Sequence, residues 1–151
     1  MRRKEKEITA PAEIEAVIAR AELCHLAMCD GDRPYAVPMS FGFDGQAFYF
    51  HSAPEGRKIE LLSRNPEVCI ALETDVSLSR AEKACRFGAG YRSVIAFGRA
   101  EFVDAPEEKR RALDLIMAHY APGEAFDYEE GTLARTRVIR VAVSRMTGKR
   151  S

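Results

Sequence analysis

Y-A-V-P-M-S-F-G-F-D-G-Q-A-F-Y-F, residues 35–50, sets two apolar segments on either side of Asp44-Gly45. Asp-Gly between such segments is a strong hairpin signal, because a tight reversal needs the positive φ that glycine takes freely. The stretch predicts a strand over Tyr35–Phe43, a turn, and a second strand over Ala47–Phe50. Upstream, Leu23–Cys29 reads as a strand, joined to Tyr35 by the turn Asp30-Gly-Asp-Arg-Pro34. Downstream, Val68–Glu73 is apolar enough for burial on both faces, and Arg92–Val103 reads as a long strand. Thr136–Ser144 alternates Val138, Arg140 and Ala142 against Arg137, Ile139, Val141 and Val143, as a strand does. Six strands with hairpin links predict a mainly β fold, a small antiparallel barrel with flanking α-helices rather than a parallel α/β sheet.

Three helices complete the reading. Ile14, Val17, Ile18 and Ala21 recur at helical spacing behind Thr9-Ala-Pro-Ala-Glu13, which resembles a capped start. A short helix is predicted over Pro54–Ser63, stopped by Asn65-Pro66, since the residue before proline resists helical geometry. The clearest helix carries Ala112, Leu115, Ile116 and His119 along one side, with Asp104 as its expected cap, Pro106 in its first turn and Ala121-Pro-Gly123 as its stop. Residues 76–90, polar and dotted with glycine, predict a loop, and residues 121–135 carry no clear pattern.

The 151 residues suit a single domain, 1–151, with a real core. Twenty-three basic residues balance 23 acidic ones, so bulk charge points neither to nucleic acid nor to an anionic membrane. The start, M-R-R-K-E-K-E-I, lacks a signal peptide's apolar run, and no stretch approaches the roughly 20 apolar residues of a membrane helix. Cys24, Cys29, Cys69 and Cys85 form no C-x-x-C pair and read as reduced thiols buried like small apolar side chains, with no metal site expected. These features predict a soluble cytoplasmic domain.

Chemistry enters at H-S-A-P-E-G-R-K-I, residues 51–59. Ser52-Ala-Pro-Glu55 has the S-x-x-E form of a capping box, which predicts Ser52 as the cap with Glu55 reaching back. Two cations, Arg57 and Lys58, then open a helix whose N-terminus already carries partial positive charge. An anion there would meet the helix dipole, free amides and two charged donors together. Alternatively, both cations are solvated or paired with Glu55 or Glu60, at little energy either way. His51, at a strand end, reads either as a structural histidine or as a proton relay. His25 and His119 carry no assigned role.

Three runs taken in order carry a family resemblance. They are Gly31 with R-P-Y-A-V-P-M-S-F-G-F-D-G (33–45), then F-Y-F-H-S-A-P-E-G-R-K-I-E-L-L (48–62), then Y-R-S-V-I-A-F-G-R-A-E-F-V (91–103). They resemble the pyridoxamine 5′-phosphate oxidase-related flavoproteins, and within these the branch of 5-nitroimidazole resistance proteins. The ending M-T-G-K-R, residues 146–150, is similar to the I-T-G-K ending of that branch. The resemblance implies a six-stranded Greek-key split β-barrel that forms a homodimer and binds FMN in clefts between the subunits. It implies a flavin ring along Pro38-Met39-Ser40-Phe41, a phosphate held near His51, Ser52, Arg57 and Lys58, and Ser93 lining the same cleft. Met39, which could otherwise be plain core, then becomes a contact to the flavin edge.

By the same resemblance His51 lies beside the flavin, where it could take part in catalysis. His51 and Tyr91 are the cleft's few candidate general acids. The oxidase branch itself carries a turn of the form T-N-x-x-S-R-K-G and a C-terminal R-L-A-P motif. This chain has neither, and no tryptophan, so pyridoxamine phosphate oxidation is not implied. The implied activity is FMN-dependent reduction of a small electron-poor substrate such as a nitroaromatic. The alternatives are a haem-binding protein, with His51 as axial ligand, and a flavin-binding module without catalysis.

Overall fold

The computed structural model describes residues 3–151. Its strands are β1 (Glu7–Ile8), β2 (Cys24–Asp30), β3 (Arg33–Met39), β4 (Gly42–Phe43), β5 (Ala47–Ser52), β6 (Glu67–Ser79), β7 (Gly88–Val103) and β8 (Arg137–Arg150). The helices are α1 (Pro11–Arg20), α2 (Arg57–Arg64), α3 (Pro106–Tyr120) and α4 (Glu130–Arg135). Every strand pairing is antiparallel, in the order β3-β2-β6-β7-β8-β5-β4, with β1 added on β8. The mainly β reading holds, and the split-barrel architecture with it.

The strand count is corrected from six to eight, for two local reasons. Glu7–Ile8 pairs with Lys149 and Gly148, so the charged start contributes a strand. The strand expected over Tyr35–Phe43 is two, because the chain leaves the ladder at Ser40-Phe41. There the Phe41 side chain is fully buried, and its N–H donates to the Tyr120 hydroxyl at 3.1 Å instead of to a strand. Nor does the sheet close by hydrogen bonds. Its end strands β3 and β4 are joined through Ser40-Phe41 and by no ladder. Just beyond, Gly42 lets α3 approach, since a Cβ there would stand 2.6 Å from the Leu115 carbonyl carbon.

The Asp44-Gly45 turn forms as predicted. Gly45 has φ 93°, and Asp44 Oδ1 accepts from the N–H groups of Gln46 and Ala47 at 2.9 and 2.8 Å. Residues 76–90 depart from expectation. Beyond a register shift at Thr74–Ser77 the two long strands run on as a hairpin arm, pairing Ser77 with Gly90, Leu78 with Ala89 and Ser79 with Gly88. Backbone pairing builds this arm without a core, which is why the side-chain pattern did not announce it. Val76 and Leu78 stay 65% and 74% exposed.

The caps differ as well. α3 begins at Pro106 with Ala105 as N-cap, while Asp104 pairs with Arg137 at 2.8 Å. α1 is capped by Ala10 without a side-chain bond, so Thr9 does not serve. The main core cluster has Leu26, Phe41, Phe48, Phe50, Ile70, Val94 and Ile139 filling the rolled sheet, and a smaller one joins Val103, Ala112 and Val138 beneath α3. α1 seals it with Val17 and Ile18, and α2 with Leu61 and Leu62. Cys24 belongs to that core, where burial pushes its thiol up to about 12, but Cys29 and Cys85 are exposed, against expectation. All four thiols are free. Among the described residues no helix is long and apolar enough to cross a membrane, and no cluster of three or more His, Cys, Asp or Glu could hold a metal.

Candidate functional site

The helix carrying the two cations starts later than the sequence suggested. α2 begins at Arg57, its N-cap is Gly56 with φ 121°, and no side chain caps it. Ser52 therefore is not a cap; it lies on β5, paired with Arg137. The capping box loses out because Pro54-Glu55-Gly56 bends out of strand before any helical turn forms, and glycine is free to take the left-handed φ this requires. The first turn of α2 still offers donors to an anion. Glu60 N–H is bonded back to Gly56 carbonyl, so the amides of Arg57, Lys58 and Ile59 are the unpaired ones of the first turn.

The two cations have different surroundings. The Arg57 guanidinium pairs with Asp30 at 2.5 Å and lies 5.7 Å from the Tyr35 ring centroid. Arg64, at the other end of α2, reaches the same Asp30 carboxylate at 3.4 Å. Neither Glu55 nor Glu60 takes the part foreseen for it. Lys58 points the other way. Its half-buried ammonium lies 3.1 Å from the Met39 sulfur, and burial holds its pKa below the ordinary lysine value. No carboxylate lies within 4.0 Å of it among the described residues.

Met39 is mostly buried, at the end of edge strand β3, and Ser40 is half-buried beside it. Phe41 offers backbone only, because its ring packs on Phe48 and 4.4 Å from His119 within the core. Tyr120, whose hydroxyl accepts from Phe41 N–H, donates in turn to the Glu22 carbonyl at 2.9 Å. His119 Nε2 is 2.8 Å from the Ala21 carbonyl, so the end of α3 is bolted to the α1–β2 link and holds the gap between β3 and β4. His51 is exposed on β5, opposite Val138 of β8.

Ser93 stands apart. It pairs with Lys149 and Glu73, whereas His51 is level with the Val138–Val103 pair. From Ser93 to Val103 is about 33 Å of extended strand at ~3.3 Å per residue. Within one chain, then, Met39, Ser40 and Lys58 come together, His51 and Ser52 lead into α2, and Ser93 lies far along β7 from the position level with His51. A cavity of about 620 Å³ beside the turn is lined by Pro54, Glu55, Gly56, Ile59 and Glu60 among others, but not by Arg57, Lys58 or His51. Glu55 and Glu60 outnumber Arg64 in its lining, which makes it a poor anion site.

The family model described as pyridoxamine 5′-phosphate oxidase matches residues 10–150. The chain belongs to this family. A candidate 5-nitroimidazole antibiotic resistance protein from Bacteroides thetaiotaomicron is 38% identical, with a TM-score of 0.85 over 95% of this chain and 85% of that one. The flavocytochrome Anf3 of Azotobacter vinelandii superposes with a TM-score of 0.86 at 21% identity, over 100% of this chain and 72% of its own. An FAD- and haem-binding protein of Mycobacterium smegmatis does so with 0.86 at 22%, over 97% and 73%. At those identities the likeness is one of fold alone. An uncharacterised protein of Rhizobium meliloti (strain 1021) is 34% identical over 95 residues, which span 63% of this chain and 56% of that protein.

Family membership leaves the residues to speak for themselves. Asp30, Tyr35, Tyr120 and Lys149 all touch candidate positions, and sequence reasoning assigned none of them a contact there. For Asp30 no local signal existed, since its partner Arg57 lies 27 residues away. Lys149 was visible only as part of the M-T-G-K-R ending.

Proposed function

We propose that the chain binds FMN in a cleft shared by two copies and reduces a small electron-poor acceptor, a 5-nitroimidazole or another nitroaromatic. The observation that carries this reading is Lys58, a half-buried cation at the start of α2 whose close contact is a thioether and not a carboxylate. Such an ammonium is incompletely neutralised, and a phosphate beside it would also meet the free amides of Arg57, Lys58 and Ile59. Arg57 joins that phosphate only by leaving Asp30.

FMN, when bound, supplies the two-electron chemistry of its ring. The chain supplies position. Met39 at the end of β3 and Ser40 beyond it would hold the ring, with the Phe41 backbone beside them, and Ser52 of β5 would face the phosphate. His51, exposed next to that end, would hydrogen-bond the cofactor or hand a proton to the acceptor. Ser93 reaches the same cleft from the second copy, which is how a residue so far along β7 can serve it. The 38% identical protein named for nitroimidazole resistance supports the choice of acceptor.

The visible spectrum of the purified protein is the test. Flavin bands, present as isolated or after adding FMN, are expected. A Soret band would replace this reading with haem binding, as named for two proteins of the same fold. A colourless protein that takes up no added FMN would end it.

A further inference from the structure

At the end of β7 and β8 farthest from His51, three polar side chains gather on the outer face of the sheet. Lys149 Nζ donates to the Tyr91 hydroxyl at 2.7 Å and lies 5.0 Å from the centroid of that ring. Ser93, two residues along β7 from Tyr91 and so on the same face, is directly across from Lys149 in the ladder. The backbone is held there too, because Ser151 N–H donates to the Tyr91 carbonyl at 2.9 Å and Glu7 of β1 pairs with Lys149. Further along the face Ile95 and Phe97 remain 43% and 38% exposed, so the polar group borders an apolar surface.

The Lys149 ammonium has a phenol for its partner and no carboxylate within 4.0 Å among the described residues. A hydroxyl that accepts from an ammonium keeps its own proton to give, and the neighbouring charge makes it a stronger donor. The charged groups around it are Lys149 from β8, Lys6 from the N-terminal turn, Glu7 of β1 across from Lys149 and, across from Ser93, Glu73 of β6. The hydrogen bond and charge of Lys149, then the charge of Lys6, hold the Tyr91 pKa below the ordinary tyrosine value.

We propose that the Tyr91 hydroxyl, oriented by Lys149 and flanked by Ser93, is the donor that grips an oxygen of the electron-poor acceptor, a nitro oxygen, in the shared cleft. This rests on the flavin reading above and adds the substrate side of the same site. Negative charge gathers on that oxygen as the acceptor is reduced, and a donor already aimed by a lysine stabilises it without reorganising. Tyrosinate cannot donate. Affinity for the acceptor therefore falls as pH rises through the Tyr91 pKa, and Lys149→Met moves that fall to higher pH.

The experiment is calorimetric titration of 2-methyl-5-nitroimidazole into the full-length protein saturated with FMN, alongside Tyr91→Phe and Lys149→Met. Tyr91→Phe is expected to weaken binding by about tenfold, the scale of one lost hydrogen bond, with FMN content unchanged. Lys149→Met is expected to shift the alkaline loss of affinity upward. Equal affinity in the parent and Tyr91→Phe overturns the assignment, as does no binding to the FMN-loaded parent. If Tyr91→Phe does not fold, an unshifted pH profile in Lys149→Met overturns it instead. A protein that takes up no FMN but binds the nitroimidazole in a Tyr91-dependent way refutes the flavin reading and leaves this assignment standing.

Discussion

Lys58 and Arg57 occupy adjacent positions at the start of one helix, yet physical chemistry separates them. Arg57 rests against Asp30 and Tyr35, so its removal also frees a carboxylate that still has Arg64 beside it. Lys58 has only the Met39 sulfur, and burial depresses its pKa. Because the unfolded chain holds that proton more tightly than the folded one, Lys58 disfavours folding below its lowered pKa. The penalty disappears as pH rises past the unfolded value of about 10.4. The flavin-free protein should thus gain stability between neutral and alkaline pH, and Lys58→Met should lose that gain in denaturation curves. FMN should raise the Lys58 pKa, read by NMR of its side chain; an unmoved value would place the phosphate elsewhere. Lys58→Ala should weaken FMN by about 1.5–3 kcal/mol while riboflavin, lacking the phosphate, binds as before. Arg57→Ala should weaken FMN less than Lys58→Ala, since Asp30 already occupies the guanidinium. His51→Gln should retain FMN and slow nitroaromatic turnover by about 10²-fold or more. Unchanged turnover across pH would make His51 a bystander.

At the scale of elements, the gap between β3 and β4 and the two-residue strand β1 decide how the sheet is finished. β1 packs over Gly148, where a Cβ would stand 2.9 Å from Ile8 Cβ and 3.1 Å from Ile14 Cγ1. The glycine of M-T-G-K-R is thereby explained by close approach of β1 and α1. Gly148→Ala should cost about 1–3 kcal/mol in chemical denaturation, the usual scale of overpacking. Stability equal to the parent would mean that β1 yields freely. Neither feature could be read locally. Ser40-Phe41 continues an apolar alternation, and only the burial of Phe41 and its bond to Tyr120, 79 residues on, show why pairing stops there.

For the whole molecule, the separation of Ser93 from His51 along β7 is the governing fact. In the proposed cleft, two copies packed through the outer sheet face bring them to one ligand. Ile95 and Phe97 lie on that face, and Val76, Leu78 and Phe87 are exposed on the β6–β7 arm and at its tip. Light scattering should therefore report two chains per particle. Phe97→Glu should yield monomers that have also lost tight FMN binding; a monomer that keeps FMN would remove the shared cleft.

What the sequence by itself determined was local. Alternation and the Asp44-Gly45 turn specified antiparallel strands, apolar spacing specified α1 and α3, and ordered motifs pointed to the family. All of these depend on residues a few positions apart, where backbone geometry and side-chain periodicity act directly. Tertiary structure alone decided that Gly56 and not Ser52 precedes α2, that Asp30 holds Arg57, and that residues 76–90 form an arm. Each of these turns on contacts or pairings between segments distant in the chain, or on a turn whose glycine outbid a plausible cap. Such interactions leave no period in the sequence, because their energy depends on which surfaces the rolled sheet finally brings together.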